Sequence, residues 1–252
     1  MSLVIDAVSR RWLIRQAGLM ALLAGVLLLV FENFPLDLWL ERFFFDATLN
    51  GFPMQHHWLF SDVLHSGFKA AAYALGLFSI AFCVYVWHTG ATRLSRRQAL
   101  LAGMGVILIP LLTAGLKHLT NRHCPWDIVN FGGYAPYVSL FGATSHDITR
   151  GVCFPAGHAS AGFVWVIWGL ALRSAYPVLA RKALIFGLAA GALMGLGRMA
   201  QGAHFLSHVL WSAWFAWSLG LVMAAALQVP LVPAETGTET LTAGPQPIPP
   251  PH

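Results

Sequence analysis

Cys153-Phe154-Pro155-Ala156-Gly157-His158-Ala159-Ser160 is a small-residue turn that carries a histidine and runs straight into an apolar stretch ending near Tyr176. Read as a helix from Ala159, that stretch leaves the backbone N–H groups of Ala156, Gly157 and His158 without intrahelical partners, at a place where an anion is favoured. Two other patches carry complementary chemistry. One runs from Lys117 to Asp127 and holds Lys117, Arg122 and His123; the other runs from Arg198 to His208 and holds Arg198, His204 and His208. Whether the three meet depends on the segments between them.

Those segments are apolar. Over 252 residues the chain is 57% hydrophobic and 10% charged, with a mean hydropathy of +0.65, values foreign to water-soluble domains. Its net charge of +5 is spread thinly, and no Lys/Arg run with interleaved aromatics marks a nucleic-acid surface. Six stretches reach the roughly 17 to 25 residues a helix needs to cross a bilayer: Trp12–Phe31, Lys69–Trp87, Ala99–Leu116, Ala159–Tyr176, Ala183–Met199 and Val209–Leu227. Phe31-Glu32-Asn33-Phe34 offers no small-residue cleavage site, so the first stretch reads as an uncleaved span.

An even number of spans returns both termini to one side. The loops on that side hold Arg10, Arg11, Arg15, Arg93, Arg96, Arg97, Arg173, Arg181 and Lys182, which makes it cytoplasmic by the positive-inside rule. The three patches then share the outer face of the cell (inner) membrane. The expected fold is all-α, a polytopic membrane bundle of six transmembrane helices over residues 1–229. A tail over 230–252, rich in Pro, Thr and Gly, is too poor in apolar residues to fold.

Smaller signals add to this frame. Gly187, Gly191 and Gly195 lay a smooth stripe along the fifth span, predicting close approach of a neighbouring helix. Between the first two spans, Pro35 to Asp46 reads either as an interfacial amphipathic helix, with Asp37 and Glu41 four apart and Trp39, Phe43 and Phe44 toward lipid, or as an ordinary loop with aromatic belt residues. His56, His57 and His65 follow and are assigned no role.

In the third patch an arginine is followed by a histidine after five residues. Arginine braces phosphate oxygens in a planar fork, and a neutral histidine attacks phosphorus when its other ring nitrogen is held by an acceptor. At these intervals the chain resembles the type 2 phosphatidic acid phosphatase (PAP2) superfamily of membrane phosphatases. That family's motifs run Lys-x6-Arg-Pro, Pro-Ser-Gly-His and Ser-Arg-x5-His-x3-Asp. Here Lys117 and Pro125 keep the first interval, Pro155-Ala156-Gly157-His158 matches the second, and Arg198 with His204 matches the third; the resemblance covers about residues 100–225.

The resemblance implies a lipid phosphate or diphosphate phosphatase, or a phosphotransferase, that works at the outer leaflet without a metal or other cofactor. His204 would be the nucleophile and His158 the general acid, while Lys117, Arg198 and the N–H groups of Ala156 and Gly157 would hold the transferring oxygens. Lipid A, undecaprenyl diphosphate and phosphatidylglycerol phosphate are the substrate classes it suggests. Three positions depart from the pattern. Cys124 fills the arginine slot, with Arg122 two residues earlier as a substitute cation; Ala156 replaces the serine; and His208 replaces the aspartate. The group orienting His204 is therefore His208 or a carboxylate such as Asp127 or Asp147.

Cys124 and Cys153 both fall on the outer face and both adjoin a motif, which predicts a disulfide between them. Two separate thiols are the alternative. Vanadium haloperoxidases share the family constellation but are soluble, and a polytopic scaffold or transporter is the non-enzymatic alternative.

Overall fold

The computed structural model describes residues 6–58, 66–90, 93–143 and 147–233. His65 and the tail over 234–252 lie outside the described residues. In chain order the helices are α1 (Ala7–Asn33), α2 (Leu36–Glu41), α3 (Phe68–Thr89), α4 (Arg96–Thr120), α5 (Gly157–Phe163), α6 (Val166–Ala171), α7 (Pro177–Ala200) and α8 (Leu206–Ala226). Local chemistry starts several of them. Asp6 accepts the Ser9 N–H at 2.6 Å to open α1, and Ser95 with Gln98 forms a capping box on α4. Pro177 sits in the first turn of α7, where a missing N–H costs nothing.

Among the described residues, α1, α3, α4, α7 and α8 are each long and apolar enough to cross a bilayer, and the chain is a multi-pass membrane protein. The expected fourth span differs. It begins two residues earlier than Ala159 and is divided into α5 and α6 by a tightened turn, where Trp165 N–H reaches Gly162 O at 3.4 Å and Ile167 N–H reaches Val164 O at 3.2 Å. These bonds span three residues, the tighter winding of a 3₁₀ turn.

The break lies where the chain presses on α7. A Cβ built at Gly162 would sit 2.5 Å from the backbone of Gly191, and one at Gly187 would sit 2.7 Å from Val166 N. One at Gly191 would enter the Phe163 ring, and one at Gly195 would meet Val209. The glycine stripe read from the sequence is therefore the seam on which α5, α6 and α8 pack. Around that seam Leu101, Ile109, Ile167 and Leu170 are fully buried, whereas Leu22, Leu77 and Leu111 point outward from α1, α3 and α4, as a lipid-facing surface requires.

Two expectations are corrected. The segment after α8 is not free from Pro230 onward: Val229 and Leu231 are fully buried, and the Leu231 N–H donates to Ser9 Oγ at 2.9 Å. Apolar residues that find a groove at the start of α1 outweigh a composition that favours disorder. The amphipathic segment is also shorter than expected and keeps its carboxyl side inward. Trp39 and Phe43 are exposed, but Asp37 and Glu41 are buried. Asp37 accepts the backbone N–H of Ser207 at 2.9 Å and the Ser207 hydroxyl as well. It thereby satisfies a donor in the first turn of α8 that the helix itself cannot.

Glu41 has no such partner among the described residues. Burial, and secondarily the charge of Asp37, push its carboxyl up from 4.5 to about 9. A raised carboxyl contributes stability while protonated and loses it as pH climbs from the unfolded value through the folded one. Glu41→Gln keeps the shape and removes the titration. Its melting temperature is expected to match the parent near the ordinary carboxylate value of 4.5 and to exceed it by a growing margin up to about 9. Thermal melts across that range check this; a constant difference would contradict it.

Candidate active site

The connection from α4 to α5 is folded back on itself. Asn121 closes α4 in the left-handed conformation, at φ 47°, and its side chain accepts the Gly151 N–H at 2.8 Å. Beside it the Cys153 N–H donates to Arg122 O at 2.8 Å. This pairing brings Cys124 against Cys153, and the two form the expected disulfide, with Cα atoms 5.2 Å apart. Thr120 Oγ1 donates to Phe154 O at 2.6 Å and fixes the same junction from the α4 side.

At the mouth of α5 the missing side chain of Gly157 makes room for Lys117: a Cβ there would lie 3.0 Å from Lys117 Nζ. The lysine thus reaches from the last turn of α4 over the first residue of α5. The next residue, His158, stands with its ring centroid 6.1 Å from that of His204. His204 lies in the short turn between α7 and α8, where Ala203 N–H donates to Arg198 O and Gly202 N–H to Met199 O, each at 2.8 Å. Gly202 takes φ +71° in that turn, and a side chain there would strike Phe52.

Arg198, at the end of α7, donates from Nη1 to Gln201 Oε1 at 2.7 Å and lies 5.7 Å from the Trp126 ring centre. Its Nε has no partner among the described residues. Trp126 is itself held by an N–H bond to Gly202 O at 2.9 Å. Trp126 and Gln201, which the sequence reading passed over, thus set the arginine's direction. Both lie inside the patches first noted, but nothing local marks them as supports.

The electrostatics show that four groups bear on His204. Burial first, and then Lys117, His208, His158 and Arg198, hold its imidazole well below the ordinary histidine range, so it is neutral at physiological pH. A neutral imidazole has a free lone pair on one nitrogen. Its Nδ1 lies 3.3 Å from Cys153 Sγ. Cys153, His204 and His208 approach closely enough to share an ion, but the Cys153 sulfur is bonded to Cys124 and is not a thiolate ligand.

Three expected contributors sit elsewhere. The Ala156 N–H donates to His208 O at 3.3 Å, while Ser212 Oγ donates to the carbonyls of Ala156 and His208. Ala156 is thereby committed to α8 and is not offered to an anion. Arg122 is committed to carbonyls: Nη2 donates to Leu140 at 2.6 Å and Gly142 at 2.9 Å, Nε to Leu140 at 3.2 Å and Nη1 to Asn121 at 3.2 Å. It clamps the 139–142 loop and lines a small cavity with Glu32, Asp37, Tyr137 and His208, apart from Lys117 and His158. Asp127, a candidate for orienting His204, accepts the Cys124 N–H at 3.3 Å.

Lys117, Gly157 and His158 open onto a cavity of about 660 Å³ between α3, α4, α5 and α7. Lys69 shares its polar end, and Leu77, Ile80, Val106, Ile107 and Trp165 line its apolar length.

Fold and site together define a multi-pass membrane protein that gathers His158, His204, Lys117 and Arg198, with Lys117 and His158 opening onto an apolar groove. The chain belongs to the PAP2 superfamily, whose family model matches residues 98–229, more than half of its length. It is similar to a solved transmembrane PAP2-type phosphatidylglycerolphosphate phosphatase from Bacillus subtilis, with 17% identity and a TM-score of 0.48, over 86% of this chain and 94% of that one. No curated protein matches the chain significantly.

Proposed function

We propose that the protein removes a phosphoryl group from a lipid phosphate or diphosphate through a phosphohistidine intermediate, at the outer leaflet, with both termini in the cytoplasm. The observation that carries the reading is the neutral, buried His204 ringed by Lys117, His158 and Arg198, two of which, Lys117 and His158, also line a groove apolar enough for a lipid tail.

In the first step Nε2 of His204 attacks phosphorus as the P–O bond to the lipid breaks, and His158 gives its proton to the departing oxygen. Lys117 and Arg198 brace the three equatorial oxygens, where charge is spread in the transition state. In the second step water attacks the phosphohistidine, His158 takes a proton from it, and inorganic phosphate leaves. The cavity supports a lipid over a soluble ester, since beyond Lys117, His158 and Lys69 its lining is mostly apolar, with Tyr73 and Ser160 as the other polar side chains. The placement of the basic loops supports the orientation.

Purified protein in detergent, given lipid monophosphates, lipid diphosphates and glycerol phosphate with and without EDTA, is expected to release phosphate from the lipids at a rate EDTA does not change. Release from glycerol phosphate alone, or loss of all activity in EDTA, would contradict the reading. Vanadate-dependent bromide oxidation would replace it.

A further inference from the structure

The nucleophile proposed above needs its proton on one particular nitrogen, and at the position expected to settle this the chain has His208 in place of a carboxylate. His208 does not take over that contact. Its Nδ1 has no partner among the described residues, and its ring borders the cavity of Glu32, Asp37, Arg122 and Tyr137. Cys153 Sγ lies at hydrogen-bonding distance from His204 Nδ1, at 3.3 Å, and both residues are buried, Cys153 at 1% and His204 at 3% exposure.

A disulfide sulfur has lone pairs and no hydrogen, so toward a ring nitrogen it can only accept. We propose that the Cys124–Cys153 disulfide is the positioning element of the nucleophile, with Cys153 Sγ accepting the Nδ1–H of His204 and so leaving Nε2 bare toward phosphorus. The inference rests on the reading of His204 as nucleophile, but the tautomer it assigns can be read without turnover.

Sulfur is a weak acceptor compared with a carboxylate, but both partners are buried, and His204 is kept neutral by burial and its cationic neighbours. Neutrality makes the tautomer the deciding variable. Reduction changes the sulfur's role. Two electrons and two protons from a dithiol, which is itself oxidised to a cyclic disulfide, break the S–S bond and leave two thiols. Cys153 then carries a hydrogen that it can donate to His204 Nδ1, with Ala203 O as its other neighbour at 2.9 Å. The imidazole is free to hold its proton on Nε2, where it blocks attack.

The test compares oxidised protein, protein reduced with dithiothreitol, and the Cys124→Ala/Cys153→Ala variant with and without His208→Asp. Mass spectrometry verifies the thiol state. Losing the sulfur acceptor is expected to lower kcat about tenfold to a hundredfold, the usual cost of removing a partner that orients a functional histidine. KM and inhibition by inorganic phosphate should stay unchanged. His208→Asp in the alanine background should recover part of the loss, because a carboxylate at 208 would again offer His204 an acceptor.

Nitrogen-15 spectra of histidine-labelled protein, assigned with His204→Gln, should show the Nδ1–H form in the oxidised state and its loss on reduction. An unchanged tautomer together with an unchanged kcat after verified reduction overturns the proposal. So does a loss of kcat that comes with equal loss of phosphate inhibition and of thermal stability, which would make the bridge a fold staple only. An oxidised protein that shows the Nδ1–H form but hydrolyses no lipid phosphate would leave the positioning role standing and remove the phosphatase reading.

Discussion

Replacing His204 with alanine is expected to lower kcat by about 10⁴-fold or more, the scale on which removal of a nucleophile acts in enzymes that work through covalent intermediates. The helices should stay assembled. His204 sits in a turn closed by backbone bonds, Ala203 N–H to Arg198 O and Gly202 N–H to Met199 O, neither of which involves the imidazole. The start of α8 is held independently by Asp37 on Ser207. The two neighbouring imidazoles are placed for other parts: His158 faces the groove, where it is the proposed proton donor, and His208 borders a separate cavity. Phosphate release measured beside a thermal melt checks this, and a variant that retains a tenth of the parent rate with a normal melt would remove His204 from the reaction.

The second large effect belongs to Arg198. With Ala156 turned to His208 O and Arg122 turned to the carbonyls of Leu140 and Gly142, the cations left facing the proposed phosphoryl position are Lys117 and Arg198. Arg198→Ala is therefore expected to cost about 10²- to 10³-fold in kcat, the range for loss of one preorganised donor to a developing oxyanion. Arg198→Lys should recover little, because an ammonium cannot reproduce a planar fork held by Gln201 and Trp126. Steady-state kinetics of both variants check the point. A loss confined to KM would show that the arginine binds ground state and transition state alike.

Much of this was legible in the sequence, and the reasons differ from element to element. The long spans were readable because a bilayer demands uninterrupted apolar length. The Gly187, Gly191 and Gly195 stripe was readable because four-residue spacing places small residues on one helix face. The disulfide was readable from topology and from the adjacency of both cysteines to motifs.

The break between α5 and α6 was not readable, since Val164 and Trp165 are as apolar as their neighbours and the cause lies on α7. Arg122 was misplaced for a related reason. As a cation beside a motif it suggested an anion contact, yet its partners are carbonyls some twenty residues away in sequence, on a loop without any signal of its own. The burial of Asp37 and Glu41 is not readable either, because four-residue spacing gives a face without saying whether that face meets water or α8. The proposed acceptor at His204 Nδ1 has no signal in the sequence, because the spacing of a bridged cysteine says nothing about which side chain its sulfur faces.

The central claim is that the phosphoryl group rests covalently on His204. The most direct measurement is rapid acid-free quenching of the protein with ³²P-labelled lipid phosphate, followed by peptide mapping under alkaline conditions that preserve phosphohistidine. The account predicts label on the peptide carrying His204 in the parent protein, its accumulation in His158→Ala with substrates whose leaving group needs no proton, and none in His204→Ala. Label persisting in His204→Ala, or turnover in the parent without any labelled histidine, would contradict it.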